Sequence, residues 1–354
     1  MLVKTVSLSG LMRFAREALM ASGVSETDSD VIAQTLVTTD SFGVLSHGTK
    51  NLYQYIQKMQ AGGLNPKAVP TVDAEGPAWA ILNGNQAMGM VSACKAMNLA
   101  IEKAKACGIG YVGVRSSCHF GAAGYYSNLA ARQGLIGLAM SNADPNMAIP
   151  NSRDVVIGNN PFSFAVPTAN AESIFLDIAL SNVAALKVVA AREKGEQVPA
   201  GWLIDAEGAP TTDPSRFPYE SHLLPMAAHK GYGLAILVEI LASVITGAGM
   251  LSEVKSWNLD LKAPNNVGHV LIAIDVSQML PGEVFARRME KLARELHAAP
   301  RAKGAEQIFL PGEMDWAKHK KAVAEDRLAL TDAMEKNLKA LSEMCAIPIA
   351  INEA

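Results

Sequence analysis

Cysteine is scarce and irregularly placed in this chain. The cysteines, Cys94, Cys107, Cys118 and Cys345, form no CxxC pair and show no disulfide-like spacing. The histidines likewise contain no HxH, HxxxH or HExxH pattern. These absences argue against a disulfide-stabilised secreted fold and against a zinc or iron centre. We therefore expect a reduced, cytoplasmic compartment and no metal.

An excess of basic charge and a long apolar run are also missing. Lys and Arg number 31 against 34 Asp and Glu, the formal net charge is −3, and aromatic residues make up 6%. A nucleic-acid partner is therefore not expected. The most apolar run, residues 234–245, is too short to span a bilayer, and MLVKTVSLSG has no signal-peptide pattern, so no membrane partner is expected. We interpret the run as a helix buried in the core, with Glu239 paired there or at its edge.

What the chain does have is an alternation of strand and helix patterns between two helical ends. With 354 residues, 49% of them hydrophobic, it can bury a sizeable core. Helical spacing dominates the first 60 residues or so and the last 70, including one helix predicted over 315–340. We predict an α/β fold with a mixed-sheet domain over 76–285 that binds cofactor and substrate. Residues 1–75 and 286–354 together are predicted to form a helical domain.

One glycine motif imitates a dinucleotide-binding turn. Gly108, Gly110 and Gly113 match GxGxxG letter for letter. The fingerprint works because it follows a strand and opens a helix, which places the pyrophosphate at the helix N-terminus. Here a helix precedes the glycines and a strand contains them, so Gly108 is interpreted as a helix C-cap. If the protein binds a dinucleotide, it does so without the Rossmann turn.

The most informative segment is the one that contains His119, Asn142 and Asp144. A strand predicted at 110–114 leads into RSSCHFG, and a strand predicted at 135–141 leads into SNADP. If the two strands are parallel, both loops leave the sheet at the same carboxyl edge. Open α/β folds place their ligands at that edge. We therefore expect the three side chains to face one crevice.

His119 suits the transfer of a proton. Imidazole titrates closest to neutral pH, and a carbonyl that accepts a hydride needs a proton from a group within hydrogen-bond reach. Asp144 would either accept a hydrogen bond from the second imidazole nitrogen or bind the substrate directly. The alternative from the residues alone is a loop histidine that caps the helix after Gly121, with Asp144 an ordinary turn aspartate before Pro145.

Two further segments are weaker site candidates. In SHGTK, Ser46 or His47 is placed to cap a helix whose N-terminal amides favour an anion, and Lys50 adds positive charge. In HKGYG, Lys230 lies among glycines at a predicted helix start, where a lysine reaches a phosphate or a hydroxyl. For both segments the alternative is a helix cap with a lysine facing solvent.

Five motifs in order carry a resemblance to a known family. They are SHGT, SCHFGAAGYYSNLAARQGLIGLAMSNADPNMAIP, GNNPFSFAVP, PTTDP and HKGYGLAILVEIL, and they extend over nearly the whole chain. Together they resemble the malate/L-lactate dehydrogenase family, which also contains ureidoglycolate, sulfolactate and diketogulonate dehydrogenases and cyclic-imine reductases. The resemblance implies a non-Rossmann fold that binds NAD or NADP, with NAD slightly favoured, and a homodimer with its site near the subunit interface.

The resemblance also implies roles for particular residues. His119 matches the family's acid/base histidine, Ser46 and His47 match the substrate-side SHG motif, and Asp144 matches an aspartate near the substrate in the ureidoglycolate enzymes. We add His47 to the catalytic candidates and Lys50 and Asn51 to the substrate side. The implied cofactor contacts are Ser141, Asn142, Ala143, Asn159, Asn160, Pro161, Asp177, Ile178, Ala179 and Lys230.

The chain departs from the family pattern where the substrate acid would bind. Family members usually carry SHGVxR, whereas this chain has SHGTKN, with Asn51 at the arginine position. Asparagine cannot grip a carboxylate in a bidentate way, and Lys50 offers only a point charge. This places a dicarboxylate such as malate in doubt. On the cofactor side, Asn151-Ser152 stands where the family usually has a glycine pair, and GNNP stands where it has GTNP. Both changes bear on the choice between NAD and NADP.

The predicted function is the interconversion of a small 2-oxo acid and its 2-hydroxy acid with a nicotinamide cofactor. A cyclic-imine reductase of the same family is the nearest alternative. Two others are a lyase or isomerase that uses His119 as a base without nicotinamide, and a binding protein that has lost activity. The substrate, the preferred coenzyme and the direction of reaction are left open by the sequence.

Overall fold

Helices form both ends of the chain and the layers beside its largest sheet. The computed structural model describes residues 4–170 and 172–353. One-turn segments lie at Thr49–Asn51, Leu251–Glu253 and Val276–Gln278, and a wider π-turn at Ile240–Val244 extends one helix. The α-helices are α1 Leu8–Ala21, α2 Glu26–Ser41, α3 Leu52–Gln60, α4 Gly89–Cys107, α5 Ala123–Ala131, α6 Ala185–Lys194, α7 His229–Glu239, α8 Gly282–His297, α9 Glu313–Ala324 and α10 Asp332–Cys345.

The strands form three sheets of seven, five and three strands. Their orders are β2-β3-β4-β13-β5-β8-β9, β11-β10-β12-β6-β7 and β14-β1-β15. The strand bounds are β1 Lys4–Val6, β2 Thr71–Gly76, β3 Trp79–Asn83, β4 Ile109–Ser117, β5 Ile136–Ser141, β6 Met147–Ala148, β7 Val155–Ile157, β8 Phe162–Val166, β9 Ile174–Ile178, β10 Leu203–Ile204, β11 Pro210–Thr211, β12 His222–Leu223, β13 Val267–Ile274, β14 Leu328–Ala329 and β15 Asn352–Glu353.

A late strand, β13, separates β4 from β5 in the large sheet. It pairs antiparallel with both, so β4 and β5 run in the same direction although they are not neighbours. β8 is antiparallel to β5 and β9 to β8, which gives β9 the direction of β4 and β5. The carboxyl ends of β4, β5 and β9 therefore lie at one edge. The expected shared direction of the two site strands is confirmed, with an extra strand between them.

The glycines of the Rossmann-like motif have packing roles. Gly108 follows α4 as its cap with φ +86°, a conformation that favours glycine. Gly110 and Gly113 lie within β4, where a Cβ on Gly110 would come 2.1 Å from the carbonyl oxygen of Ala100 in α4. The close approach of helix and strand thus requires glycine at 110. The rejection of a Rossmann turn is confirmed by this context.

Both chain ends share one hydrophobic core. Apolar side chains of α1, α2 and α3 pack against Met334, Leu338 and Leu341 of α10, and β1 pairs with β14 and β15. The helix predicted over 315–340 is wrong, because α9 and α10 are separate and β14 lies between them. The two-domain division stays a prediction; its 75/76 boundary falls inside β2, and residues 1–3 and 354 lie outside the described residues.

The apolar run at 234–245 is not a fully buried helix, which corrects the interpretation from sequence. It occupies α7 and the π-turn, and one face is open: Leu237 is 47% and Val244 55% exposed. Glu239, on the opposite face, is 6% exposed and accepts hydrogen bonds from two asparagine side chains and one backbone N–H. The predicted pairing of Glu239 is thus with amides. Among the described residues, no helix has the length and apolarity to cross a membrane.

Candidate active site

A cavity of about 590 Å³ opens at the sheet edge where β4, β5 and β9 end. Its size is in the range of small-molecule and cofactor pockets. Asn160, fully buried, and Lys230, exposed at the start of α7, are not among its lining residues. The predicted site residues that do line it are Ser46, His47, Lys50, Asn51, His119, Ser141, Asn142, Ala143, Asp144, Asn159, Pro161, Asp177, Ile178 and Ala179.

His119 lies in the cavity wall and is held by three contacts. Its Nδ1 is 2.5 Å from the hydroxyl oxygen of Tyr55, which is fully buried in α3. Its backbone N–H donates to Oδ1 of Asn265 at 2.9 Å, and its ring stacks on Trp257 with centroids 4.6 Å apart. Because Tyr55 occupies Nδ1 in either tautomer, Nε2 is the nitrogen that remains for a ligand.

The surroundings of His119 favour its neutral form. Burial, followed by the nearby His47 and His269, lowers the pKa of His119 well below 6.5. Burial and the adjacent Lys50 lower the pKa of His47 to about 4. The two imidazole rings lie 5.6 Å apart between centroids. A neutral imidazole at physiological pH is a base that can accept a proton from a bound hydroxyl group.

The SHG segment is held by a residue that the sequence did not indicate. The prediction that Ser46 or His47 caps the following turn is wrong. The side chain of Ser46 instead bonds to Nδ1 of His47 at 2.7 Å. The first amide of the turn, on Thr49, donates instead to Asp40 of α2 at 2.9 Å. Asn51 is 5% exposed and donates from its side chain to the carbonyl oxygen of Ser46 at 2.8 Å.

Asp144 follows β5 and lines the same cavity as His119. Its suggested role as the partner of the second ring nitrogen is not what the structure shows, because Tyr55 holds Nδ1. Burial raises the pKa of Asp144, and a hydrogen bond with Ser256 partly offsets that rise. A role for Asp144 at a ligand stays a prediction.

Two of the predicted strand-end residues serve the framework. The Asn142 side chain donates to Glu239 and to the carbonyl oxygen of Gly249, and it accepts from the N–H of Gly268. Asn160 accepts from the N–H of Ala143 and donates to Glu239. Both amide side chains are therefore engaged within the protein, and they fix the backbone of the loop that follows β5.

Asp177, at the end of β9, joins that strand to α5. Its Oδ2 accepts the backbone N–H of Gly124 at 2.7 Å, and burial raises its pKa to about 6. A Cβ on Gly124 would come 2.9 Å from the same carboxylate oxygen. The start of α5 is thus fitted against β9, and its small residues leave room in the cavity beside them.

Several site residues had no recognisable signal in the sequence. His269 of β13 bonds to Ser141 at 2.9 Å and to Ser117 at 2.8 Å, so one buried ring links the ends of β5 and β4. Trp257 and Asn265 come from a loop far along the chain from His119. Tyr55 is four residues after Asn51 in a helix, which places both on one face. That spacing was the available clue to Tyr55.

Comparison with known proteins relates this chain to named dehydrogenases and a reductase. A family model described as malate/L-lactate dehydrogenase matches residues 6–339. The chain is 36% identical over 310 residues to a malate dehydrogenase of Pyrococcus abyssi, covering 86% of this chain and 84% of that one. It is 31% identical over 322 residues to a Δ1-pyrroline-2-carboxylate/Δ1-piperideine-2-carboxylate reductase of Pseudomonas syringae pv. tomato, covering 91% and 92%. The solved sulfolactate dehydrogenase of Methanocaldococcus jannaschii is similar with TM-score 0.90 and 33% identity, covering 97% and 98%.

Proposed function

The chain belongs to the malate/L-lactate dehydrogenase family, and we propose that it interconverts a small 2-oxo acid and its 2-hydroxy acid with a nicotinamide coenzyme. The observation that carries the proposal is the setting of His119. Its Nδ1 is taken by Tyr55, and its Nε2 has no hydrogen-bond partner within residues 4–170 and 172–353 and can meet a ligand in a large cavity. Ser46, His47 and Asp144 line that cavity with it.

His119 moves the proton in this proposal. In oxidation, the hydroxyl proton of the substrate would pass from oxygen to Nε2 while the hydride leaves the carbon that bears the hydroxyl group and a carbonyl forms; reduction reverses both transfers. When bound, the coenzyme accepts or supplies that hydride. The lowered pKa makes the free His119 a base, which suits oxidation. The hydrogen bond with Tyr55 keeps the ring oriented while its charge changes. We propose that His47 also contacts the substrate oxygen that gains or loses the proton.

The residues at the strand ends fit a flat, extended coenzyme. Ser141, Ala143, Asn159, Pro161, and Asp177 with Ile178 and Ala179 line the cavity near the strand ends, and most of them are small or offer an amide or hydroxyl group. We propose that they hold the nicotinamide end of the coenzyme, while Asn142 and Asn160 hold the loop that follows β5 in place. The contact implied for Lys230 stays a prediction from resemblance. The free cysteines are consistent with a cytoplasmic compartment, which we propose for the enzyme.

The substrate side of the cavity favours an acid with one carboxylate. Asn51 is bonded to Ser46, so Lys50 is the cation of this segment that lines the cavity. A lysine binds a carboxylate as a point charge, and Asn51 in place of an arginine offers a second carboxylate no bidentate partner in this segment. We therefore propose a 2-oxo monocarboxylate with a neutral side chain as the substrate class.

A cyclic-imine reductase is the second candidate, because one relative is named for that activity. There the hydride is added to the imine carbon and the proton to the imine nitrogen. His119 would deliver the proton, and Lys50 would bind the ring carboxylate. The substrates differ enough for a direct assay to separate the two candidates.

Coenzyme binding and a substrate panel test the proposed function. NADH or NADPH should raise the melting temperature and quench tryptophan fluorescence, because Trp257 stacks on His119 in the cavity wall. A panel followed by coenzyme absorbance should then rank monocarboxylic 2-oxo acids above dicarboxylic ones, with cyclic imines as the rival class. Asn51→Arg should improve the dicarboxylates relative to the others. No response to either coenzyme would contradict a nicotinamide enzyme and favour a lyase, an isomerase or a binding protein.

Replacing His119 should remove the chemistry and leave coenzyme binding in place. We expect His119→Ala to lower turnover by about 10²–10⁴-fold, the usual share of a general acid or base. In the native enzyme, kcat/KM for oxidation should show no acid limb near pH 6.5, because protonation of the free His119 occurs well below that value. His297→Ala, on exposed α8, is the matched control. A native rate in His119→Ala would exclude it from the mechanism.

Removing the Tyr55 hydroxyl should slow turnover with little effect on coenzyme affinity. Tyr55→Phe leaves Nδ1 of His119 without its partner, and an unpaired buried polar group costs about 1–3 kcal/mol. We expect kcat to fall by about 10- to 100-fold. Tyr53→Phe is the control, because no hydrogen bond of the Tyr53 hydroxyl is found among the described residues. Equal rates in the two variants would show that Tyr55 does not orient the ring.

The exposed apolar face of α7 and the π-turn is proposed to pair with a second copy of the chain. From Leu234 to Ile245 the charged residue is Glu239, which is buried, so the exposed face carries no charge. Contiguous exposed apolar surface on a soluble protein marks an interaction site.

A charge on this face should break the homodimer. We expect Leu237→Glu to convert a dimer into a folded monomer, because an unpaired carboxylate would be buried at the interface. Size-exclusion chromatography with light scattering gives the mass, and circular dichroism reports the fold. Val69→Glu, at a separate residue that is 65% exposed, should stay dimeric. A monomeric native protein, or a dimeric Leu237→Glu variant, would contradict the proposed interface.

A further inference from the structure

Asp40 is a buried carboxylate that the proposed reaction does not use. It lies in the last turn of α2 and is fully buried. Its Oδ2 accepts the backbone N–H of Thr49 at 2.9 Å and the Thr49 hydroxyl at 2.6 Å. Its Oδ1 has no hydrogen-bond partner among the described residues. Burial raises the pKa of Asp40 to about 7, against the two bonds from Thr49.

A buried carboxylate of this kind is costly for the fold. Within residues 4–170 and 172–353, no cation pairs with Asp40. An unpaired buried charge disfavours folding, and an uncharged asparagine would offer an acceptor to the same N–H. Charge pairing therefore does not account for a side chain with an acceptor oxygen at this place. The Asp40 carboxylate does, however, fit closely against the segment Ser46–Asn51, part of which lines the cavity.

Gly48 shows how close that fit is. A Cβ on Gly48 would come 1.9 Å from Oδ1 of Asp40, 2.3 Å from Cγ and 2.7 Å from Oδ2, and these are its three nearest atoms. The φ of Gly48 is −93°, outside the left-handed region, so the backbone conformation does not require glycine. Glycine is required here because the Asp40 carboxylate leaves no room for a side chain at this position.

The segment beside Asp40 carries the substrate side of the site. Ser46 and His47 precede Gly48, while Lys50 and Asn51 follow Thr49 in the same turn, and all four line the cavity. The N–H of Asn51 donates to the carbonyl oxygen of Gly48 at 3.1 Å, so the turn closes directly over the carboxylate. A shift of the backbone at Gly48 or Thr49 would therefore move the cavity-lining residues that precede this pair and those that follow it.

We propose that Asp40 is a positioning residue that fixes the Ser46–Asn51 segment through Thr49 and the cleft filled by Gly48, and so sets the affinity for the acid substrate. This inference rests on the proposed function. It assigns no contact between Asp40 and substrate or coenzyme. The carboxylate acts on the substrate through the backbone position of the segment.

A double-mutant cycle between Asp40 and Gly48 tests the proposal. Asp40→Ala should raise KM for the acid substrate at least 10-fold, with kcat less affected and coenzyme Kd unchanged. Gly48→Ala should lower kcat/KM about 100-fold, because its methyl group meets the carboxylate. The double variant should be no worse than Asp40→Ala alone, since the clashing atoms are gone. Asp40→Asn, which keeps an acceptor for Thr49, should recover most of the native KM.

The same cycle read by denaturation separates this proposal from the proposed reaction. Urea unfolding of the four proteins needs no substrate and should show the same non-additivity. If the native enzyme is inactive but unfolding is non-additive, the reaction is wrong and the fit of Gly48 to Asp40 stands. Additive effects on kcat/KM and on unfolding, or a native KM in Asp40→Ala, would overturn the positioning role.

Discussion

The pairing of β13 between β4 and β5 is the constraint on which the site depends. Because β13 is antiparallel to both, the two strands point the same way and deliver His119 and Asp144 to one edge. His269 of β13 then bonds to the last residues of both strands, Ser117 and Ser141. A strand from late in the chain thus fixes the distance between the two loops. Local contacts within residues 112–150 cannot supply that distance.

The burial that this arrangement produces sets the electrostatics of the cavity. Three imidazoles, His47, His119 and His269, have lowered pKa values, chiefly because each is buried. They differ in what their ring nitrogens meet. His269 has both nitrogens bonded to serines, whereas His119 has one bonded to Tyr55. That difference, more than the pKa direction, distinguishes a histidine of the framework from one that can handle a substrate proton.

The sequence predicted β4, β5 and the site loops that follow them, because strand periodicity and loop position are local properties. A shared direction of β4 and β5 was the condition for one common edge, and the strand between them was not predicted. Tyr55 and Trp257 were not predicted as partners of His119, because each lies far from it along the chain. The apolar run around Leu237 was assigned to the core because periodicity and hydropathy do not distinguish a core helix from a helix with an exposed apolar face.

Three carboxylates around the cavity, two of them buried and one half-buried, accept the same kind of hydrogen bond. Asp40, Asp177 and Glu239 each accept a backbone N–H from a different part of the chain: Thr49, Gly124 and Leu251. Backbone N–H dipoles stabilise a carboxylate without a fixed cation. Each bond also joins two separate elements of the chain, so the hydrogen bonds that partly offset the cost of burial also hold the cavity wall. The positive charge of Lys50 is consequently not consumed by these carboxylates, and an anionic substrate is the partner that its place in the cavity suits.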